Sequence, residues 1–170
     1  MRFNRIVFTL IALACVAVLG VALYMEHMMG LEPCPLCMLQ RMAFVGVGLV
    51  ALLAALIGPG GWGVRLGGGL MVLPALAGVG LAGRQLWLQS LPADQVPPCG
   101  PGYDYLRETF PLTEVIQRAL EGSGSCAEIQ WQFLGLSIPG WSSVLFALAA
   151  LAGIGLLVVG TGRRRHGLLD

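Results

Sequence analysis

The chain contains no lysine, and its 170 residues include only ten arginines and nine acids, so that charged residues make up 11% of the whole. A soluble domain carries about 25%. A surface this short of charge cannot be dressed for water, which excludes an ordinary soluble enzyme. The formal net charge is +1, without the basic stripe that a phosphate backbone demands, so nucleic acid is excluded as a partner. Histidine is nearly missing: only His27 and His166 occur, neither inside an apolar run. A haem, whose iron needs axial ligands such as histidine, is therefore also excluded. What is abundant is apolar, 56% hydrophobic residues with 25 glycines, and the mean hydropathy is +0.80. These values indicate a membrane protein.

A helix needs about 20 apolar residues to cross the hydrocarbon core of a bilayer. Four stretches qualify, at about 6–25, 38–57, 64–88 and 139–159. The expected fold is an all-α integral membrane protein, one domain over 1–170, built as a four-helix transmembrane bundle. The first stretch resembles a signal peptide in its flanking Arg2 and Arg5, but its uncharged run exceeds the usual apolar core of about 7–15 residues, so it is read as a span. Pro74 falls inside the third span, where neighbouring helices or waters can satisfy the freed carbonyl. Small residues recur at helical spacing (Gly63/Gly67, Ala54/Gly58, Ala149/Gly153), as expected where transmembrane helices approach closely.

Arginine placement sets the orientation. Arg2, Arg5, Arg65 and Arg163 to Arg165 fall on one side, whereas the connecting segments on the other side hold only Arg107 and Arg118. The positive-inside rule then puts both termini and the 58–63 turn in the cytoplasm, and the loops at about 26–37 and 89–138 outside it.

Four of the five cysteines lie in those outer loops: Cys34 and Cys37 in a Cys-Pro-Leu-Cys unit at the mouth of the second span, Cys99 and Cys126 in the long loop. That compartment is expected to be oxidising, so disulfides persist there. The fifth, Cys15, is mid-span and reads as a small buried apolar side chain. Zinc would want two closely spaced ligand pairs, and Cys99 and Cys126 have 26 residues between them; no metal is expected. Structural staples suit Cys99 and Cys126, since closing a long loop stabilises by a few kcal/mol. They suit Cys34 and Cys37 badly, because a two-residue ring removes little chain entropy and is redox-labile. Redox work is favoured, with staples as the alternative.

The surroundings of Cys37 agree. Pro33 and Pro35 stop any incoming helix, and Pro35 suits the first position of a new one, where a fixed φ and a missing N–H do no harm. Cys37 then falls in the first helical turn, where unpaired N–H groups favour a thiolate. Arg41 follows one turn later on the same face and is expected to favour an anion; the alternative is an interfacial arginine reaching for headgroups. A thiolate and a guanidinium at a membrane surface point to an electron acceptor that lives in lipid, such as a quinone.

The long loop is too short for a core of its own. Turn residues surround Cys99, from Pro97-Pro98 to Gly100-Pro101-Gly102. Leu112, Val115, Ile116, Ala119 and Leu120 form an apolar stripe at helical spacing. Such a helix either lies flat on the bilayer or packs on the outer ends of the spans. Gly122-Ser123-Gly124-Ser125 is expected to give Cys126 a flexible leash. Trp131, Phe133 and Trp141 read as aromatic anchors at the membrane interface.

Taken together, four spans, Pro33-Cys34-Pro35-Leu36-Cys37 with Arg41, Cys99 in a Pro-rich loop, and Ser125-Cys126-Ala127-Glu128 followed by Trp131 and Phe133-Leu134-Gly135-Leu136 resemble the DsbB family, the inner-membrane disulfide bond formation proteins. The resemblance covers essentially the whole chain. It implies a protein-dithiol:quinone oxidoreductase of the bacterial inner membrane, with redox loops in the periplasm and a thioredoxin-fold DsbA-like protein as partner. It implies further that Cys99, paired with Cys126, takes the attack of reduced DsbA, that Cys34 exchanges with Cys126, and that Cys37 is left as the thiolate facing ubiquinone, with menaquinone as an anaerobic substitute. Arg41 would stabilise the anionic species. The family's best-known member has a histidine beside the quinone after the third span; Arg84-Gln85-Leu86-Trp87-Leu88-Gln89-Ser90 contains none, so no histidine role carries over. The rival readings are a quinone reductase of the vitamin K epoxide reductase type, which places its Cys-x-x-Cys late in the bundle, and a structural four-span protein with stapled loops.

Overall fold

The computed structural model describes residues 2–57, 61–92, 94–98, 105 and 108–166, with side chains omitted for residue 2 and for 159–166. Cys99, Arg107 and the turn at 58–60 lie outside the described residues, as do the side chains of Arg163 to Arg165.

Four long helices dominate: α1 Arg2–Met29, α2 Pro35–Ile57, α3 Gly61–Gln89 and α6 Ile138–His166. Each contains a segment long and apolar enough to cross a membrane, and the chain is a multi-pass membrane protein. Between α3 and α6 lie α4 Leu112–Glu121, the one-turn α5 Gly124–Ala127, and a hairpin of β1 Gln132–Phe133 with β2 Leu136–Ser137. α1 runs past its apolar stretch because nothing in the flanking sequence breaks it until Gly30, whose φ is 66°, and α2 is described as far as Ile57.

The packing is a chain of neighbours. α3 lies against both α6 and α2, and α1 packs chiefly on α2. Where α3 meets α6 the backbones touch: a Cβ on Gly68 would sit 2.8 Å from the Gly153 carbonyl oxygen, and one on Gly153 would sit 2.9 Å from that of Gly68. Without a hydrophobic drive between helices in lipid, such small-residue contact is what holds them. Further along the same seam, Gly78 makes room for the Phe146 ring, which stacks on Phe44 of α2 at 3.9 Å between centroids. Phe8, Val47, Met71 and Ala75 complete this buried core. Cys15 lies in it, its Cβ against Gly48, as its apolar reading anticipates.

The hairpin was not legible in the sequence. Leu134 and Gly135, at φ 51° and 80°, make the two-residue turn, with Gln132 opposite Ser137 and Phe133 opposite Leu136. Two central residues at positive φ match the twist of flanking strands, which is why so short a hairpin closes. Its task is positional: it lays Trp131 and Phe133 beside Trp141 at the start of α6.

Candidate functional site

Three sulfurs meet at the cysteine end of α2. The helix begins at Pro35, which leaves the first-turn N–H groups without helical partners. Sulfur takes them up. The Cys37 N–H donates to Cys34 Sγ at 3.3 Å, and the Leu36 backbone hydrogen-bonds to Cys126. Cys34 is within hydrogen-bonding reach of both other sulfurs and stands between them. Cys34 and Cys126 are buried, Cys126 completely; Cys37 is half-buried.

This grouping sets which sulfur holds the proton. Cys34 has its thiol pushed up, first by the hydrogen bonds that bind its proton to Cys126 and Cys37 and then by burial. Cys126 is pushed down to about 5, chiefly by the Cys34 S–H, while burial opposes; the Ser123 and Leu36 backbone and the Ser123 hydroxyl add to the lowering. These shifts favour Cys34 as the proton donor of the reduced cluster and Cys126 as its thiolate.

The expected leash before Cys126 is a correction. Gly122 adopts φ 82°, and a Cβ there would fall 2.5 Å from Leu88 Cδ1. Ser123 and Ser125 bond to each other at 2.8 Å, and α5 then turns Cys126 inward. The glycines and serines serve a conformation only glycine tolerates and a close approach, rather than freedom of movement. The Gly124 N–H also donates to the Pro98 carbonyl at 3.3 Å, so the strand of chain entering Cys99 runs beside this turn. The amphipathic helix α4 forms over the expected stripe. Val115 and Ala119 are buried, Leu112, Ile116 and Leu120 remain exposed, and Arg84 of α3 ties down its last turn through the Leu120 and Glu121 carbonyls at 3.3 and 3.0 Å.

Two glutamines that sequence reading passed over complete the cluster. Gln85 of α3 and Gln40 of α2 are both buried. Gln85 Nε2 lies 3.4 Å from Cys34 Sγ and 3.4 Å from Cys37 Sγ, while Gln40 Nε2 donates to Gln85 Oε1 at 2.7 Å. The available signal was an uncharged polar residue one helical turn from the end of an apolar span, facing inward beside Arg84.

On the other side of Cys37 a cavity of about 620 Å³ opens between α1 and α6, with α2 as its floor. Val18, Ala22, Phe44 and Leu145 make its walls apolar; Cys37, Gln40, Arg41 and Glu26 bring polarity to one edge. Arg41 is engaged with α1. Its guanidinium pairs with Glu26, donates to the Ala22 carbonyl at 3.2 Å and touches Met38 Sδ, so it joins α2 to α1. Trp131, Phe133 and Trp141, read as interface anchors, also line this cavity; Phe133 stacks on Trp131 and lies tilted against Trp141, whose Nε1 donates to the Phe133 carbonyl at 3.1 Å.

Comparison with known proteins agrees over most of the chain. The family model described as "Disulfide bond formation protein DsbB" matches residues 4–156. Among curated relatives, a "Disulfide bond formation protein B" of Marinobacter nauticus is 60% identical over 89% of this chain and 90% of its own length. One from Chromobacterium violaceum is 53% identical over 96% of each chain. A third, "Disulfide bond formation protein B 1" of Pseudomonas aeruginosa, is 48% identical over 84% of this chain and 87% of its own.

Proposed function

The chain belongs to the DsbB family of disulfide bond formation proteins, and on that premise we propose that it reoxidises a periplasmic DsbA-like dithiol protein and passes the electrons to ubiquinone in the bacterial inner membrane. The observation that carries this reading is Cys34, within hydrogen-bonding reach of both Cys126 and Cys37, with Cys37 itself lining an apolar cavity.

In the oxidised protein Cys99 pairs with Cys126 and Cys34 with Cys37. A thiolate of the reduced partner attacks Cys99, forming a mixed disulfide and releasing Cys126 as a thiolate. The Ser123 and Leu36 backbone and the Ser123 hydroxyl favour that thiolate, and its neighbour Cys34 is the sulfur it must attack next. A Cys126–Cys34 bond forms, the Cys34–Cys37 bond breaks, and the electron pair leaves on Cys37. The partner's second thiolate then displaces Cys99, and the partner departs oxidised. A quinone held in the cavity supplies acceptance of two electrons and two protons, leaving as quinol. The Cys99 thiolate then attacks Cys126, breaking the Cys126–Cys34 bond and releasing Cys34, and the passage of two electrons from the Cys34 and Cys37 thiolates to such an acceptor would remake the Cys34–Cys37 bond.

The residues fit a ring with a greasy tail. The volume is that of an ordinary small-molecule site, and the walls, contributed by the membrane-spanning helices α1, α2 and α6, are mostly apolar. The Arg41–Glu26 pair and Gln40 offer the few polar groups that would orient carbonyl oxygens. The test is purified protein in lipid with a reduced thioredoxin-fold dithiol protein and a short-chain ubiquinone. Quinol should form at the rate of dithiol loss; dithiol oxidation without quinol would overturn the reading.

A further inference from the structure

Opening the Cys34–Cys37 disulfide leaves negative charge on Cys37, and Arg41, one turn along the helix, is already engaged by Glu26 and the Ala22 carbonyl. The charge must be met by something else. Two hydrogen-bond donors reach the pair of sulfurs, the Cys37 N–H on Cys34 and the Gln85 side chain on both. An amide NH2 has two hydrogens, and Gln85 Nε2 is 3.4 Å from each sulfur, one hydrogen for each.

We propose that Gln85 is a catalytic residue of the thiol chemistry, its amide stabilising the sulfur anion released at Cys37, and that Gln40 is the positioning residue that fixes the amide's orientation. The inference rests on the exchange sequence above. Gln40 Nε2 donates to Gln85 Oε1 at 2.7 Å, so a rotation of the Gln85 amide would set donor against donor. The N–H groups are thereby kept on the sulfurs. When Cys37 is protonated the same side chain still serves it, since the S–H can turn to Gln85 Oε1 at 3.7 Å. Both amides are buried, where a charge-assisted hydrogen bond is stronger than in water. In the step itself the Cys126–Cys34 bond forms and the Cys34–Cys37 bond breaks; Gln85 transfers no proton and only lowers the energy of the leaving thiolate.

The test uses the reduced full-length protein in detergent, without quinone, and follows iodoacetamide alkylation of Cys37 by mass spectrometry. Gln85→Met keeps the length of the side chain and removes its donors. Cys37 should react about tenfold more slowly at pH 7, the scale of one charged hydrogen bond, and at the wild-type rate at pH 10, where hydroxide supplies the thiolate. A packing role alone would not give that pH dependence. Gln40→Met should shift the rate the same way by a smaller factor. A wild-type rate at pH 7 in Gln85→Met overturns the proposal; if that variant does not fold, a wild-type rate in Gln40→Met does so. Because quinone is absent, a slowed Cys37 in a protein that reduces no quinone would refute the acceptor reading and leave the role of Gln85 standing.

Discussion

The two sides of Cys37 differ in nearly every physical respect. Toward α3 and α5 lie buried sulfurs, the Gln85 amide held by Gln40, and the first-turn amides of α2, a polar network bonded within itself. Toward α1 and α6 lies an open cavity of about 620 Å³, mostly apolar, with an ion pair at its edge. The contrast teaches that a single half-buried sulfur can join two solvents. Disulfide exchange needs fixed sulfurs and held protons; a lipid-borne acceptor needs room and a path from the bilayer.

The sharpest way to break the comparison is to remove the junction. Cys37→Ser should abolish quinone-dependent oxidation of the dithiol partner while the mixed disulfide at Cys99 still forms, as non-reducing gels would reveal; full turnover would mean that the two sides do not communicate through this sulfur.

The closed side has its own test in pH. Cys126 is held near 5 by the Cys34 S–H, against about 8.5 for an unperturbed thiol. In the reduced protein its charge therefore contributes stability that is complete above about 8.5 and lost as pH falls through about 5. The melting temperature of the reduced form should decline across that window relative to Cys126→Ala. In Cys34→Ala, the thiolate absorbance of Cys126 should titrate at a higher midpoint. An unchanged midpoint would mean that Cys34 is not the donor.

On the open side, Arg41→Ala strands Glu26 and removes the bridge from α2 to α1. The apparent KM for quinone should rise about tenfold while that for the dithiol partner stays constant, in line with the loss of one charged hydrogen bond. A change shared equally by both substrates would place Arg41 in the scaffold rather than the cavity. The smallest effect is expected far from both sides: Leu134→Asn should raise the unfolding free energy by a few tenths of a kcal/mol, because asparagine tolerates positive φ better than leucine.

Much of this was legible in the chain. Four apolar stretches and the Pro35 start of α2 follow from composition and proline chemistry, since a bilayer permits few backbone solutions. The stripe from Leu112 to Leu120 likewise declares a helix. What the sequence hid is tertiary. Gln85 lies 45 residues from Gln40, and no local pattern marks two neutral amides as partners. Glycine-serine composition before Cys126 reads as slack because the same residues serve both loose and strained chain; only Leu88, packed over Gly122, distinguishes them. Trp131 and Phe133 reach the cavity through a hairpin whose turn puts a leucine at positive φ, a choice that propensity argues against.

The lopsided attachment of α1 has a practical outcome. It leans chiefly on α2, so on its free flank the chamber beside Cys37 is expected to be finished by surrounding acyl chains instead of by polypeptide. Extraction into micelles then replaces part of the enclosure itself, and rates measured with lipid-soluble acceptors will vary with the amphiphile chosen. The sulfur nest, walled by protein, should be indifferent to that choice.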